Sequence, residues 1–353
     1  MSTSWPSSAN AVRLEITQPD PATLYEPLLD LWRRNLPTAS EERCDWLYGS
    51  CRARAWLLGA DNAPPTGAAG LMLRRMFVNG ECVEAGGTID LNVDQSQRSV
   101  GPALSLVRAV VGAADSERRH LLYGMPNRSA TAVMKRAGFR ELGEFSSWTK
   151  LLDCEQKLRG KLRSPVLARI LAPAVNMSFR VLSSDWRARQ PAGIVASTAA
   201  RFDERFDRLS SRAANRFDVI GERSANFLNW RFCDSPDLKY QIFTLVDEQT
   251  RELAGYVVWY FDLGAVSISD MLAIDEPTTM SLLAGFSRMV RQTRSSAIRF
   301  DCFAPPDFYR LLGRAGFHRR QNRHPVLYRR SGPDDSPLGT NWYLTMADSD
   351  TDV

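Results

Sequence analysis

The chain has 353 residues, of which 44% are apolar and 24% charged, too many for one ordinary core and suited to two of roughly 150–180 residues each. Three histidines (His120, His318, His324) and six cysteines without a C-x-x-C pair argue against a multi-histidine metal centre, a zinc ribbon or a dense disulfide framework. Lys and Arg number 45 against 40 Asp and Glu, a net charge of +5 that falls far short of a DNA-binding surface, so no nucleic acid partner and no metal are expected.

In chain order, an apolar alternation at Val12, Leu14 and Ile16 predicts a strand, and Tyr25, Leu28, Leu29 and Trp32 predict a helix stopped by Pro37. A second helix is expected after Ser40, with Trp46 and Leu47 on its apolar side. Strands follow at 55–58, 69–78 and 82–93, the last two joined by Asn79-Gly80, a hairpin signal. A small-residue helix over 103–111, a strand over 120–123, a helix over 129–137 closed by Gly138 and a strand over 148–152 complete this unit.

Residues 153–197 differ in composition. Lys157, Arg159, Lys161, Arg163, Arg169 and Arg180 interleave with Leu, Val and Ile, and Pro165 and Pro173 interrupt the pattern. The segment is expected to be an inter-domain linker; its basic amphipathic character also allows peripheral contact with an anionic membrane or a membrane-bound partner. Beyond it, Phe202, Phe206 and Leu209, then Val219, Ile220, Phe227 and Leu228, predict helices. Strands are expected at 240–246, 254–260, 266–274, 297–302, 326–329 and 342–345, and helices at 280–291 and 307–315. The start lacks a basic region followed by an apolar stretch, and no run of 18 apolar residues occurs, so a soluble, cytoplasmic protein is expected, one that could lie against the inner face of the membrane.

Two segments recur. Arg136-Ala-Gly-Phe139 returns as Arg314-Ala-Gly-Phe317, 178 positions on, and Leu91-Asn-Val-Asp94 aligns with Leu272-Ala-Ile-Asp275 at an offset of 181. A divergent tandem repeat explains both, with the second copy shortened where the first carries a glycine loop. The chain thus divides into a disordered N-terminus (1–10), a first domain (11–152), the basic linker (153–197), a second domain (198–346) and an acidic C-terminal tail (347–353). The class is α+β, mixed α/β by another name.

The glycine loop, Val93 to Ala103, joins a strand to a helix N-terminus, where backbone N–H groups and the helix dipole converge on an anion such as a pyrophosphate. Arg98-Ser99-Val100-Gly101-Pro102-Ala103 resembles the acyl-CoA loop of the GNAT (general N-acetyltransferase) superfamily. Asn127, Ala130 and Gly138-Phe139 resemble the family's later helix and strand. The resemblance implies two tandem GNAT folds, each a mixed, mostly antiparallel sheet with flanking helices. It implies that Asn92 and Val93 pair with pantetheine, that Arg98, Ser99, Val100, Gly101, Ala103 and Leu104 bind pyrophosphate, and that Asn127 sits beside the arm of acetyl-CoA or another acyl-CoA.

Departures from the family pattern are Pro102, which has no N–H, and Met134, where many members have the tyrosine that protonates the leaving thiolate. In the second copy Asp275 and Glu276 replace the glycine loop, so no CoA is expected there. Glu84 and Asp90 are the candidate general bases, and Tyr123 the candidate acid. Trp230 and Arg231, in a stretch that resembles two-lobed GNAT-like proteins of envelope or polysaccharide metabolism, are candidate acceptor contacts. The leading expectation is acyl transfer from acyl-CoA to an amine acceptor such as an amino sugar or envelope precursor. The alternatives are a Fem-type aminoacyl or envelope-precursor transferase and a non-catalytic acyl-CoA-binding or interaction module.

Overall fold

A computed structural model describes residues 14–36, 40–60, 63–97, 100–153, 185, 192–331 and 338–349. Residues 1–10, Arg98, Ser99 and nearly all of the basic linker lie outside the described residues.

The first half runs β1 (Glu15–Thr17), α1 (Pro21–Asn35), α2 (Glu41–Cys44) continuing as a π-turn (Asp45–Gly49), β2 (Ala53–Gly59), β3 (Gly67–Val78) and β4 (Glu81–Val93). After a 3-10 turn at Gln95–Gln97 come α3 (Val100–Ser116), β5 (Leu121–Gly124), α4 (Arg128–Arg136) and β6 (Arg140–Leu151). Helix α3 buries Leu106, Val107, Val110, Val111 and Ala114, a stripe at helical spacing that packs with Trp56, Leu58, Ala69 and Leu71 of β2 and β3.

The second half begins with an edge strand, β7 (Ile194–Ala199), where the sequence placed linker, and continues through α5 (Glu204–Ala214) and β8 (Val219–Gly221). Then follow α6 (Ala225–Leu228) with its own π-turn (Asn229–Cys233), β9 (Gln241–Asp247), β10 (Leu253–Asp262), β11 (Ala265–Ala273) and α7 (Glu276–Gln292). The chain ends as β12 (Ala297–Phe303), α8 (Pro306–Arg314), β13 (His318–Arg330), β14 (Trp342–Thr345) and a 3-10 turn (Met346–Asp348). Val219 and Ile220 were expected in a helix. They are instead a buried strand wedged between β3 and β14, an apolar run too short for periodicity to tell strand from helix.

The strands of the described residues join one sheet, ordered β1-β2-β3-β4-β5-β13-β6-β12-β11-β10-β9-β7, with β14 and β8 attached beside it. The halves interlock at its centre. Strand β13 of the second half lies antiparallel between β5 and β6, and β6 of the first half lies antiparallel between β13 and β12. Each half therefore supplies a strand to the other: β13 separates β5 from β6, and β6 separates β12 from β13.

The repeat extends further than the two tetrapeptides indicate. Helices α3 and α7 have 17 residues each, and α4 and α8 have nine each. Ser40 and Ser224 cap α2 and α6 by accepting from the N–H groups of Arg43 (3.1 Å) and Phe227 (3.3 Å). The π-turns that follow set Trp46 and Trp230 against each other, stacked at 4.7 Å and 14°. Each indole N–H donates to the other's backbone carbonyl, at 2.8 and 3.1 Å. The shared pattern, Ser, four residues, Asp or Asn, Trp, repeats at an offset of 184; the degeneracy of its intervening residues hid it.

Candidate functional site

Strands β4 and β5 pair in parallel only from Ala85–Gly87 to Leu121–Tyr123. Beyond Gly87, β4 continues to Val93 with β3 as its strand partner among the described residues, while β5 ends at Gly124 and turns into the loop before α4. The parting strands open a cleft of about 690 Å³, lined by Gly87 to Leu91, Tyr123 to Asn127, Val107 and Val110 of α3, and Ala130 and Met134 of α4. The second half adds Arg231, Asp237, Leu238, Asp348 and Ser349 to its wall.

Asp90 stands in this cleft. Its backbone is left-handed (φ 52°), at a slip in the β3–β4 register between Ala68 and Gly70, a bulge that turns the carboxylate off the regular alternation. Tyr48 Oη donates to Asp90 Oδ2 (2.7 Å), and Arg43 approaches Oδ1 at 3.9 Å. Arg43 also donates to Asp237 Oδ2 at 3.3 Å, so a guanidinium from the first half bridges carboxylates of both halves inside the cleft wall.

The other sequence-derived residues divide. Glu84 does not face the cleft: it lies on the paired part of β4, largely exposed, in an ion pair with Arg119 at 3.3 Å. Tyr123 forms part of the floor, but its hydroxyl donates to the Asp348 backbone carbonyl (2.9 Å), and burial pushes its pKa up to about 12. Asn127 is the α4 N-cap; its Oδ1 accepts from Ala130 N at 2.9 Å, which fixes the helix end beside the cleft. Asn92 pairs with Ala68 of β3 and Val93 with Gly67, and the Asn92 side-chain oxygen is buried with no partner among the described residues. Val100 and Gly101 are exposed in the first turn of α3, with Ala103 and Leu104 half-buried behind them; that turn carries no acidic residue. Arg98 and Ser99 fall outside the described residues.

Trp230 does not line the cleft: it is buried, stacked on Trp46, and its indole N–H donates to the Trp46 carbonyl. Arg231 does reach the cleft wall, where it donates to the Met346 carbonyl (2.9 Å) and lies over the Trp46 ring. Asp348, which the sequence placed in an acidic tail, is fully buried. Its carboxylate accepts from Arg74 (2.9 Å), from both terminal nitrogens of Arg223 (2.9 and 2.6 Å) and from Thr345 N (3.0 Å). Arg223 Nε in turn meets Asp270, which also accepts from Tyr256 and Thr345. Burial alone would raise the Asp348 pKa, but Arg223 and Arg74 hold it below the usual carboxylate range.

The same parting of strands exists in the second half, and the chain fills it. Strands β11 and β12 pair in parallel over Val266–Ile268 and Ile298–Phe300. Past that point β14 inserts, pairing antiparallel with Cys302 and Phe303 of β12 while Tyr343 Oη donates to the Met271 carbonyl of β11 at 2.6 Å. At the start of α7, Asp275 accepts from Thr278 N at 2.7 Å and Glu276 occupies the first turn. A carboxylate thus already holds the position an anion would take.

No family model matches the chain, and no curated protein matches it in sequence. Solved structures do match in fold. A protein of Enterococcus faecalis V583, described as a probable N-acyltransferase, superposes with TM-score 0.64 at 11% identity, over 90% of this chain and 72% of that one. A GCN5-related N-acetyltransferase of Anabaena variabilis gives 0.63 at 12% identity, over 90% and 73%. A tandem GNAT protein from the clavulanic acid biosynthesis pathway gives 0.55 at 13% identity, over 92% of this chain and 100% of that one. At such identities it is the fold that is shared, and this α+β chain carries the GNAT-like fold twice in tandem.

Proposed function

We propose that the protein is an acyl-CoA-dependent N-acyltransferase whose first half binds the donor and whose second half completes the wall on the acceptor side. The observation that carries this reading is the parting of β4 from β5. Past Gly87 one side of β4 is bonded to β3, and no strand among the described residues pairs with its other side, which faces the cleft. An extended chain bearing amides, which is what the pantetheine arm is, satisfies such an edge by the hydrogen bonding of an added strand. The apolar wall from Val107, Val110, Ala130 and Met134 suits its methylenes. Val100, Gly101 and Ala103 open α3 without a carboxylate, which suits the pyrophosphate, with Arg98 and Ser99 beside them in sequence.

In this reading Asp90 takes the proton of the acceptor amine, directly or through a water, as the nitrogen attacks the thioester carbonyl. Tyr48 orients the carboxylate, and the Arg43 guanidinium lies beside it. Collapse of the tetrahedral adduct expels the CoA thiolate, a leaving group that needs no strong acid. Tyr123, engaged with Asp348 and raised to about 12, is a poor donor for it, so solvent supplies that proton. The acceptor enters from the side of Asp237, Leu238 and Ser349.

The test combines binding and turnover. Acetyl-CoA at 100 times its Kd stabilises the protein by about 2.7 kcal/mol. Gly101→Glu abolishes that shift while leaving the unliganded melting temperature unchanged, because a glutamate in the first turn of a helix does not weaken it. Release of free thiol from acyl-CoA with a panel of amines, amino sugars and peptides then separates catalysis from binding alone. No thermal shift with any acyl-CoA refutes the reading.

A further inference from the structure

Among the described residues, the charged groups that line the cleft are Arg43, Asp90, Arg231, Asp237 and Asp348, and they differ in how far they are open to it. Arg231 is 1% exposed and is engaged by the Met346 carbonyl and the Trp46 ring. The Asp348 carboxylate is turned inward onto Arg74 and Arg223. The side chains of Arg43 and Asp90 are 11% and 7% exposed, whereas that of Asp237 is 41% exposed. The charge that the cleft offers to an entering molecule is therefore negative, and it comes from the second half.

Asp237 is held at a set distance from Asp90. It follows the π-turn Asn229–Cys233, whose Trp230 is stacked on Trp46 of the other π-turn, so the joined turns fix its place against the first half. Arg43 lies just before that other turn and reaches both carboxylates, Asp237 at 3.3 Å and Asp90 at 3.9 Å. One guanidinium that touches both places them within roughly 10 Å of each other. Arg43 thus shows, from within the chain, that this stretch of wall presents two carboxylates to one cationic group.

We propose that the acceptor is a diamine, or a longer polyamine that contains one. Its two amino groups lie about three to five carbons apart, the span this separation admits, one held as an ammonium by Asp237 and the other presented at Asp90. Leu238, next to Asp237 in the wall, covers the methylenes between them. The proposal rests on the acyl-transfer reading for the role of Asp90. The reacting amine gives its ammonium proton to solvent before it attacks. As the C–N bond forms and the C–S bond breaks, Asp90 takes the second proton and the thiolate leaves with the electron pair. The ammonium on Asp237 takes no part in these steps and fixes which nitrogen reacts. A monoamine has no group for Asp237, and an amine that carries an anion brings like charge to it, so both are disfavoured.

The experiment is titration calorimetry of the full-length protein, without donor, with 1,4-diaminobutane, butylamine and 4-aminobutyrate as probes. The diamine binds about fivefold more tightly than butylamine, as an ion pair to a half-exposed carboxylate gives; high salt narrows the difference, and 4-aminobutyrate binds least. Asp237→Asn removes the preference and Asp237→Glu keeps it, a rescue that a folding defect would not show. With acetyl-CoA present, kcat/KM follows the same order. Equal binding of diamine and monoamine by wild type, a preference that survives in Asp237→Asn, or tighter binding of 4-aminobutyrate overturns the proposal. The acyl-transfer reading fails on a different observation, the absence of any acyl-CoA thermal shift, because the calorimetry is done without donor.

Discussion

Replacing Asp348 by alanine tests how far the two halves depend on one buried carboxylate. Asp348 accepts four hydrogen bonds, three of them from the guanidinium groups of Arg74 on β3 and Arg223 beyond β8. All three side chains are at most 1% exposed. In Asp348→Ala, Arg223 keeps Asp270 while the buried Arg74 loses its carboxylate partner, so one buried charge is uncompensated, at a cost of about 3–5 kcal/mol. Arg74→Met is the control: it removes one charge-assisted bond but leaves Asp348 paired to Arg223, and costs about 1–3 kcal/mol. Urea unfolding of both variants beside wild type measures the difference. The sign of the pH dependence follows from the depressed pKa of Asp348. Its contribution is complete above the unfolded carboxyl value, near 3.9, and is lost as pH falls through the lower folded value. The gap between wild type and Asp348→Ala therefore stays constant at neutral pH and closes only below about pH 4. A cost under 1 kcal/mol, or an Arg74→Met variant less stable than Asp348→Ala, refutes the reasoning.

Asp90→Asn is expected to lower kcat by about 10²–10⁴ with little change in acyl-CoA binding, measured by thiol release and thermal shift; Tyr48→Phe, which removes only the orienting bond, lowers it by roughly tenfold. A thermal shift lost together with activity in Asp90→Asn would mean that the carboxylate holds the donor instead. Trp46→Ala and Trp230→Ala should each destabilise by about 3–5 kcal/mol. The double variant should lose less than the sum, by a coupling of about 0.5–1.5 kcal/mol for the stacked rings; additive losses would show that the stack contributes nothing beyond burial.

The site was legible where local chemistry is written in adjacent residues. Asp90, on the strand before the loop, and Asn127, ahead of the later helix, both line one cleft, and the helix expected from 103 opens at Val100. Glu84 was indistinguishable from Asp90 in sequence because both lie on one long strand, and only the point at which β5 stops pairing separates paired edge from open cleft. Asp348 was misread because a C-terminal run rich in aspartate resembles a solvated tail; its partners Arg74 and Arg223 are 274 and 125 positions away. Trp230 presents the opposite lesson. Its partner, Trp46, was visible as part of a repeat, but only once the serine caps and the following Asp and Asn are aligned as well.

The reciprocal placement of β6 and β13 has a consequence for how the chain comes to be folded. When Leu151 leaves the ribosome, the slot between β5 and β6 is still empty, since its occupant, His318–Arg330, has not been made. At 5–20 residues per second that delay lasts roughly 10–40 s, during which two strand edges flank an open gap, the arrangement most prone to pairing with another chain. The first half cannot finish early and wait. Its sheet closes only when the second half arrives, so the long-range pairings at the centre should govern the folding rate, and neither half is expected to survive as a separate piece.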